Sequence, residues 1–395
     1  MGFYQCVLTE TFPVTSWSTL FSFNEMKSIN KSDIVIYAAL FLFSINLSAQ
    51  DFDELEFGTD STFEILTWNI EWFPKNGQTT ADYVTAIIQT LDVDVLAIQE
   101  VDDTDMFDQM LQNLTDYEGY YESAWFAGLA YIYKTDVIEI NDIYEIYTTA
   151  PYWSPFPRSP MVMDMTYLGE NILIINNHFK CCGDGYLDLD DPDDEETRRY
   201  LASNLLKEYI DTNFSNNNVI VLGDLNDILT DDTENNVFQM ILNDSENYLF
   251  ADMEIATGNS SEWSYPWWPS HIDHILITNE LFDEFENERS KIQTIKIEEF
   301  MDGGFDEYYE NISDHRPVAL KLEFISLSEG DVNEDGVTDI YDVNIFVDFI
   351  LGNQIPTPSQ FAAADLNQDT IIDVMDIVLL VDLILGSTML PVQTR

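Results

Sequence analysis

The four histidines of the chain lie in three short polar segments that adjoin apolar runs, NNHFK, HIDHI and SDHRP. A nearby carboxylate fixes the tautomer of an imidazole and stabilises its protonated form, so such a histidine can take a proton from water near neutral pH. Further carboxylates and amides end other apolar runs, in TWNIEW, IQEV and GDLND. The sequence therefore places acid, base and ligand groups where strands meet loops, which is where catalytic residues are often mounted.

The residue types in these segments favour one kind of chemistry. Carboxylates and amides without a thiolate cluster suit a hard cation such as Mg²⁺ or Mn²⁺ and leave positions for water and a phosphate oxygen. A cation of this kind stabilises negative charge that develops on phosphorus. The pattern predicts metal-assisted hydrolysis of a phosphate ester by residues Asn69, Glu100, His178, Asp224, Asn226, Asp273, Asp314 and His315.

Apolar patterning predicts an α/β body that positions these groups. Alternating or continuous apolar runs predict strands at 63–70, 94–101, 127–133, 171–176, 218–222, 271–278 and 318–324. Helical spacing predicts helices at 80–91 and 192–209, the second with Asp191 as its N-cap and Pro192 in its first turn.

In their order and spacing, the six segments TWNIEW, IQEV, NNHFK, GDLND, HIDHI and SDHRP resemble the endonuclease/exonuclease/phosphatase superfamily. That superfamily includes DNase I, exonuclease III-like enzymes, inositol phosphatases and neutral sphingomyelinases. The resemblance spans residues 63–325. It implies a four-layer α/β sandwich of two packed mixed β-sheets flanked by helices, with the site at one edge.

The resemblance also implies metal-binding and phosphate-binding roles. Glu100 would be the principal metal ligand, with Asn69 and Asp314 assisting it. Arg158, in FPRSPMVMDM, resembles the phosphate-facing arginine of the family, although a surface position explains it equally well.

The remaining matched residues would handle the proton and the phosphate. The resemblance implies that His315 is the general base, held by Asp273, and that Asp224 and Asn226 position the attacking water or the phosphate. His178 would bind the scissile phosphate or assist the leaving group. A tyrosine is usual at the position of His178 in enzymes that repair abasic DNA, so the histidine favours the branch with DNase I, sphingomyelinases and phosphatases.

Two further residues are candidates for substrate contact. Alternation along the HIDHI strand places His271 on the same face as Asp273, so His271 is expected to line the site, whereas His274 packs inside. Trp268 belongs to an aromatic run just before Asp273, which either stacks on a base, touches lipid or fills the core.

Residues 331–352 and 365–386 form an internal repeat, offset by 34 residues and identical at 10 of 22 positions. Oxygen-bearing residues recur with the spacing of a calcium loop, and the seventh residue offers its carbonyl. The predicted Ca²⁺ ligands are Asp331, Asn333, Asp335, Val337, Asp339, Asp342, Asp365, Asn367, Asp369, Ile371, Asp373 and Asp376. The sixth position holds Gly336 in the first loop and Thr370 in the second, so the second turn is expected to be more strained.

This repeat resembles a type I dockerin over residues 329–388, because an aspartate at the twelfth position is followed directly by an apolar helix. The resemblance implies a small all-α calcium-binding domain and a cohesin-like scaffold protein as partner. Dockerin recognition helices usually carry basic residues, and neither repeat contains Lys or Arg. Calcium binding is therefore better supported than cohesin binding.

Residues 26–50 have the pattern of a secretory signal: a Met, two lysines, an apolar run at 34–47 and small residues near Ala49. The run is shorter than the roughly 20 residues of a membrane-spanning helix. We therefore expect a secreted protein without a transmembrane segment after processing. Residues 1–25 are interpreted as an upstream extension that is absent from the mature protein, and residues 51–62 as a linker.

The chain has 15 Lys and Arg against 73 Asp and Glu, a formal net charge of −58. Such a charge disfavours capture of a polyanion through counterion release. The six segments nevertheless favour a phosphodiesterase of the nuclease type, with a lipid or small phosphoester as the alternative substrate. A catalytically silent, calcium-dependent interaction protein is the alternative from another class. Cys181 and Cys182 are expected to form a vicinal disulfide, to stay as thiols or to bind a softer metal.

Overall fold

The computed structural model describes residues 52, 55–59, 61–324, 328–333 and 335–386. The predicted upstream extension and the predicted signal lie outside the described residues, as do residues 51, 53, 54 and 60 of the predicted linker. Residue 325 and residues 387–388, which end the two predicted domains, lie outside them as well.

Twelve strands of the described chain form two six-stranded mixed sheets. The first sheet has the order β11-β12-β1-β2-β4-β3 and the second the order β5-β6-β7-β8-β10-β9. Each sheet contains one parallel pair, β1 with β2 and β7 with β8. The strands are β1 (Phe63–Phe73), β2 (Val95–Val101), β3 (Tyr117–Tyr120), β4 (Gly128–Lys134), β5 (Glu139–Glu145), β6 (Met161–Tyr167), β7 (Glu170–His178), β8 (Asn218–Asp224), β9 (Tyr248–Phe250), β10 (Asp273–Thr278), β11 (Lys291–Thr294) and β12 (Val318–Leu322).

Ten α-helices of the described chain flank the sheets or form the C-terminal region. They are α1 (Gln78–Leu91), α2 (Thr104–Leu111), α3 (Glu195–Asn213), α4 (Gln239–Leu242), α5 (Met253–Ala256), α6 (Phe282–Glu286), α7 (Gly304–Asn311), α8 (Ile340–Leu351), α9 (Pro358–Ala364) and α10 (Val374–Ile384). No helix within the described ranges combines the length and the apolarity that crossing a bilayer requires.

The body has four layers, because each sheet buries side chains on both of its faces. Between the sheets, Ile65 and Ala97 of the first pack with Ile174 and Leu222 of the second. On the outer faces, α1 covers the first sheet and α3 covers the second. The four-layer sandwich implied by the sequence is confirmed.

The helix that was predicted at 192–209 begins later, at Glu195. Its N-cap is Asp194, whose side chain accepts a hydrogen bond from the backbone N–H of Thr197. The expected cap, Asp191, instead accepts a hydrogen bond from the backbone N–H of Asp193 within the preceding loop. The cap prediction was wrong because several aspartates in this run offer the same local hydrogen bond, and their sequence alone does not rank them.

The C-terminal region contains two similar units, each a loop followed by a helix. In the first loop, Asp342 accepts hydrogen bonds from the backbone N–H groups of Val332, Asn333 and Asp339, and so ties the loop to the start of α8. Asp376 accepts the corresponding bonds from Asn367 and Asp373 at the start of α10. Residues of both helices pack in one small apolar core.

The sheet topology brings the predicted site residues to one edge. Parallel strands end at the same edge of a sheet, so β7 and β8 deliver His178 and Asp224 as a paired register position. The neighbouring strand β10 runs antiparallel to β8 and begins there, which pairs Asp273 with Asp224. In the other sheet, β1 and β2 end near Asn69 and Glu100, and β12 begins just after His315.

Candidate active site

A buried histidine–aspartate pair joins the two sheets at this edge. The Nδ1 atom of His315 lies 2.8 Å from Oδ2 of Asp273. The hydroxyl of Ser264 accepts a hydrogen bond from the backbone N–H of Asp273 and fixes the start of β10. Burial by itself lowers the pKa of His315, but the carboxylates of Asp273, Asp224 and Asp314 outweigh burial and raise that pKa above its usual value.

Asp224 lies between the two histidines of the site. Its Oδ2 atom is 3.5 Å from Nε2 of His178 and 3.7 Å from Nε2 of His315. The amide of Asn69 donates a hydrogen bond of 3.0 Å to the same oxygen. Burial raises the pKa of Asp224, with a smaller contribution from the charge of Asp273. Both distances exceed the usual hydrogen-bond length, so neither Nε2 atom is tied directly to this carboxylate.

Glu100 stands at a distortion in the first sheet. Its backbone has a φ of 67°, in the left-handed region, and the pairing of β1 with β2 shifts register after Asn69. Such irregularities at strand ends re-aim side chains, and the strained backbone costs about 1–3 kcal/mol. The backbone N–H of Trp72 donates to Oε2 of Glu100, while Oε1 lies 3.8 Å from Nε2 of His178.

His178 is held as a neutral imidazole. Burial lowers its pKa well below the usual value, and the positive charges of Arg158 and His315 lower it further. Its Nδ1 atom is buried and has no hydrogen-bond partner among the described residues. Arg158 therefore lies near the site, with its Nε donating to the backbone carbonyl of Ala127.

Asn69 faces Asp224 through its amide nitrogen, and its amide oxygen accepts a hydrogen bond from the backbone N–H of Glu71. Glu71 was not among the residues singled out from the sequence. Its carboxyl lies close enough to that of Asp314 for the two groups to interact electrostatically. Burial raises the pKa of Glu71 to about 6, opposed by Lys75 and reinforced by Asp314.

Three carboxylates lie around the two histidines of the site: Oε1 of Glu100 is 3.8 Å from Nε2 of His178, Oδ1 of Asp314 is 3.9 Å from Nε2 of His315, and Glu71 is near Asp314. They are hard oxygen donors, and the negative charges of Glu71 and Asp314 repel each other. A divalent cation would relieve this repulsion, because its charge offsets two adjacent carboxylates. The donor set therefore fits Mg²⁺ or Mn²⁺ better than a thiophilic metal.

The loop after β8 is tightly fixed. The backbone N–H of Asn226 donates to Oδ1 of Asp224, and its side-chain amide donates to the carbonyl of Phe179. Arg199 of α3, which is buried, donates from Nε to Oδ2 of Asp227 at 2.8 Å. Sequence reasoning missed Arg199, because a single arginine on a helix carries no signal of the loop that it contacts.

His271 does not join the His315 pair. It is buried with Asp252 and His274, and its Nε2 lies 3.0 Å from Oδ2 of Asp252. Its Nδ1 accepts a hydrogen bond from the backbone N–H of Ser264, so its neutral tautomer carries the proton on Nε2. The structure thus places His271 in this buried cluster and not beside Asp273, because β10 begins only at Asp273 and the strand alternation does not extend back to residue 271.

His274 packs inside, in agreement with the sequence-based expectation. Its Nδ1 lies 2.6 Å from Oδ2 of Asp252, and its Nε2 lies 2.9 Å from the carbonyl oxygen of Asp227. Both partners are acceptors, so both ring nitrogens carry protons. The resulting imidazolium pairs with a carboxylate in the interior and ties β10 to the loop after β8.

Aromatic side chains extend from the site to the surface. The ring of Tyr265 lies 4.8 Å from the ring of His315, and Trp267 stacks on Tyr309 at 4.6 Å. Trp268, predicted to contact substrate, is 78% exposed. Beyond the site edge formed by Glu100, the exposed rings of Trp72 and Phe126 stack on each other.

The two adjacent cysteines lie just after β7. Cys181 and Cys182 are exposed free thiols, with their sulfur atoms 3.2 Å apart.

Comparison with known families and structures agrees with this architecture. Residues 66–315 match the Endonuclease/Exonuclease/phosphatase family, and residues 329–385 match the dockerin type I domain. Among curated proteins, none matches the chain.

Several solved structures are similar to the chain over about two thirds of its length. The D. rerio TDP2 complexed with single strand DNA product is 14% identical with a TM-score of 0.50, covering 67% of this chain and 100% of that one. The endonuclease/exonuclease/phosphatase from Bacteroides vulgatus is 16% identical with a TM-score of 0.48, covering 67% and 100%. The Bacteroides thetaiotaomicron mannosyl-6-phosphatase Bt3783 is 15% identical with a TM-score of 0.45, covering 66% and 100%. At this identity, the D. rerio structure shows a common fold.

Proposed function

The chain belongs to the endonuclease/exonuclease/phosphatase family of metal-dependent phosphoester hydrolases, and we propose that it is a secreted phosphodiesterase that hydrolyses nucleic acid. The observation that carries the proposal is the buried His315–Asp273 pair, separated from His178 only by the carboxylate of Asp224. His315, held by Asp273, would accept a proton, and His178 would bind a phosphate oxygen.

The metal-binding role is assigned to Glu100 and Asp314, with Glu71 as a third carboxylate. Mg²⁺ or Mn²⁺, when bound, stabilises negative charge on the phosphoryl oxygens. The amide of Asn69 donates a hydrogen bond to Asp224 and orients that carboxylate. We propose this positioning role for Asn69, whereas the sequence resemblance implied that it assists in binding the metal.

His315 is proposed as the general base. Its Nδ1 proton is held by Asp273, so Nε2 is the atom that exchanges a proton with water. The gap of 3.7 Å between Nε2 and Asp224 supports a role for Asp224 in orienting that water rather than in binding the imidazole directly. Asn226 holds the Asp224 carboxylate through its backbone N–H.

His178 and Arg158 are proposed to bind the phosphate. A neutral His178 donates from only one nitrogen, and Nε2 is the nitrogen that faces Glu100 and Asp224. Arg158 adds a positive charge close to this imidazole, as its effect on the pKa of His178 indicates.

The exposed aromatic rings support a nucleic-acid substrate. Trp72, Phe126 and Trp268 offer flat surfaces on which unpaired bases stack, at about 1–3 kcal/mol per base. The net charge of −58 opposes binding of a long polyanion and favours the second candidate, a lipid or small phosphoester.

A substrate panel tests the proposal. DNA, RNA, sphingomyelin and p-nitrophenyl phosphoesters are incubated with Mg²⁺, Mn²⁺ or Ca²⁺ at several salt concentrations, with His315→Ala as the inactive control. Nucleotide release that His315→Ala abolishes supports the nuclease proposal. Choline-phosphate or nitrophenol release without nucleotide release at any salt concentration would leave the smaller phosphoester as substrate. Inactivity on all substrates would favour the catalytically silent alternative.

The dockerin type I region is proposed to bind Ca²⁺ and to attach the enzyme to a cohesin-like scaffold protein outside the cell. The buried Oδ1 of Asp331, which has no hydrogen-bond partner among the described residues, supports cation binding, because a buried carboxylate oxygen needs a positive partner. A pull-down with a cohesin in the presence of Ca²⁺, repeated with chelator, tests the attachment. Secretion is tested by detecting the processed protein in culture medium.

A further inference from the structure

Three carboxylates outside both sites converge where the loop after β7 meets the start of α3. One carboxylate oxygen from each of Asp184, Asp194 and Glu196 lies within 4.8 Å of the other two. Two oxygens bound to the same calcium ion cannot be more than about 5 Å apart, because each bond is about 2.3–2.6 Å long. The three side chains therefore already have the spacing of a shared cation.

In each carboxylate, one oxygen is held by the backbone. Oδ1 of Asp184 accepts from Tyr186, Oδ2 of Asp194 accepts from Thr197, and Oε1 of Glu196 accepts from Gly185 at 2.7 Å. The second oxygen of each group carries no hydrogen bond to the rest of the described chain. The loop is thus shaped around three fixed carboxylates, each of which has one oxygen to offer.

Glu196 gives the second, independent observation. The residue is only 2% exposed, and its Oε2 atom has no partner among the described residues. Arg199 pairs with the other oxygen, at 3.2 Å, and is shared with Asp227. A buried anionic oxygen without a partner is costly, and the neighbouring carboxylates add further negative charge.

We propose that Asp184, Asp194 and Glu196 bind one calcium ion. Three hard oxygen donors from a loop and the first turn of a helix suit Ca²⁺, which accepts six to eight ligands in an irregular geometry and completes its shell with carbonyls and water. Mg²⁺ demands a near-octahedral arrangement and is less compatible with such a loop. The thirteen residues from Asp184 to Glu196 contain eight carboxylates, whose mutual repulsion a bound cation would reduce.

The ion would stabilise the segment that follows His178 of the active site. Residue 178 ends β7, and the loop begins only a few residues later. Arg199 donates hydrogen bonds to the backbone carbonyls of Lys180 and Cys182, which follow β7, and to the carboxylate of Asp227, which follows β8. It therefore connects the cation site to the segments that follow both strands. Calcium at this site stabilises the segment that leads away from His178 and is a structural ion, separate from the dockerin loops.

The test measures calcium stoichiometry on the full chain. Wild type, Asp184→Asn, Asp194→Asn and the matched control Asp190→Asn are freed of metal and titrated with ⁴⁵Ca²⁺ by equilibrium dialysis in the presence of Mg²⁺. Asp184 and Asp190 are both exposed, so neither substitution threatens folding. Asparagine at residue 194 keeps an N-cap side chain.

Asp184→Asn and Asp194→Asn are expected to bind one calcium ion fewer than wild type, whereas Asp190→Asn matches wild type. The dockerin loops and the catalytic site contribute equally to all four proteins, so the difference reports on this site alone. Limited proteolysis should show calcium protection of residues 181–194 that both variants lose. Equal stoichiometry in all four proteins, or displacement of the extra ion by Mg²⁺, would overturn the proposal.

Discussion

The Nδ1 atom of His315 lies 2.8 Å from Oδ2 of Asp273, 42 positions earlier in the chain, and the pair joins the two sheets of the body. Asp273 is the first residue of β10 in the second sheet, while His315 precedes β12 of the first. The pairing therefore depends on the packing of both sheets.

Asp273→Asn is expected to lower kcat about 10²–10⁴-fold, because an amide presents an N–H where the imidazole needs an acceptor. The measurement is steady-state kinetics on whichever substrate of the panel is cleaved. Asp283→Asn, on the exposed side of α6, serves as the control and should keep wild-type kinetics. A fully active Asp273→Asn protein would remove His315 from the role of general base.

Glu100→Gln is expected to raise the metal concentration needed for half-maximal activity at least tenfold, because the amide removes one negative charge from the proposed ligand set. Activity is titrated with Mn²⁺ at fixed substrate concentration. Glu139→Gln, on the edge strand β5, is the matched control. An unchanged metal requirement for Glu100→Gln would contradict the proposed ligand role.

Arg199→Met is expected to destabilise the fold by about 3–5 kcal/mol, because it leaves the carboxylates of Asp227 and Glu196 without their buried partner. Urea denaturation gives the free energy of unfolding, and Arg199→Lys should recover part of the loss. The neighbouring Arg198→Met, at a half-exposed side chain, should change the free energy by less than about 1 kcal/mol. A similar effect of both Met substitutions would show that the ion pairs of Arg199 contribute little.

Thr370→Gly is expected to strengthen calcium binding by the second dockerin loop up to about fivefold. Thr370 has a φ of 69°, a left-handed conformation that costs a non-glycine residue about 1 kcal/mol and that glycine adopts freely. Calcium titration by calorimetry measures the change, with Gly336→Ala in the first loop expected to act in the opposite direction. Weaker binding by Thr370→Gly would mean that the threonine side chain contributes to the loop.

The buried His274–Asp252 pair predicts a pH dependence of stability. Burial opposes charge on both groups, but each lowers the cost for the other: the pKa of His274 is raised by Asp252 and also by Asp273, and that of Asp252 is lowered by His274 and His271. The contribution of Asp252 is lost as pH falls below about 4, and that of His274 is lost as pH rises through its raised pKa.

We therefore expect the stability difference between wild type and His274→Gln to be largest at pH of about 4–6.5 and to shrink at higher pH. Urea denaturation of both proteins from pH 4 to 9 measures it. A difference that grows steadily with pH would contradict a protonated His274.

The sequence by itself determined the chemistry and the central part of the fold. All seven predicted strands coincide with strands of the structure, because buried central strands carry long apolar runs. The five strands that were not predicted, β3, β5, β6, β9 and β11, are mostly short, half-exposed or at sheet edges, where burial does not impose a clear pattern. The two calcium loops could be predicted from the sequence because all of the proposed ligands of each loop lie within twelve consecutive residues.

Only the tertiary structure decided which polar groups meet. It turned Asn69 toward Asp224, set Glu71 against Asp314, buried His271 with Asp252 and tied Arg199 to the loop after β8. These contacts join residues of different strands, loops and helices, and their distances follow from sheet packing and strand register. A sequence records which side chains are present, whereas their partners depend on how the sheets and helices pack, which local patterns do not encode.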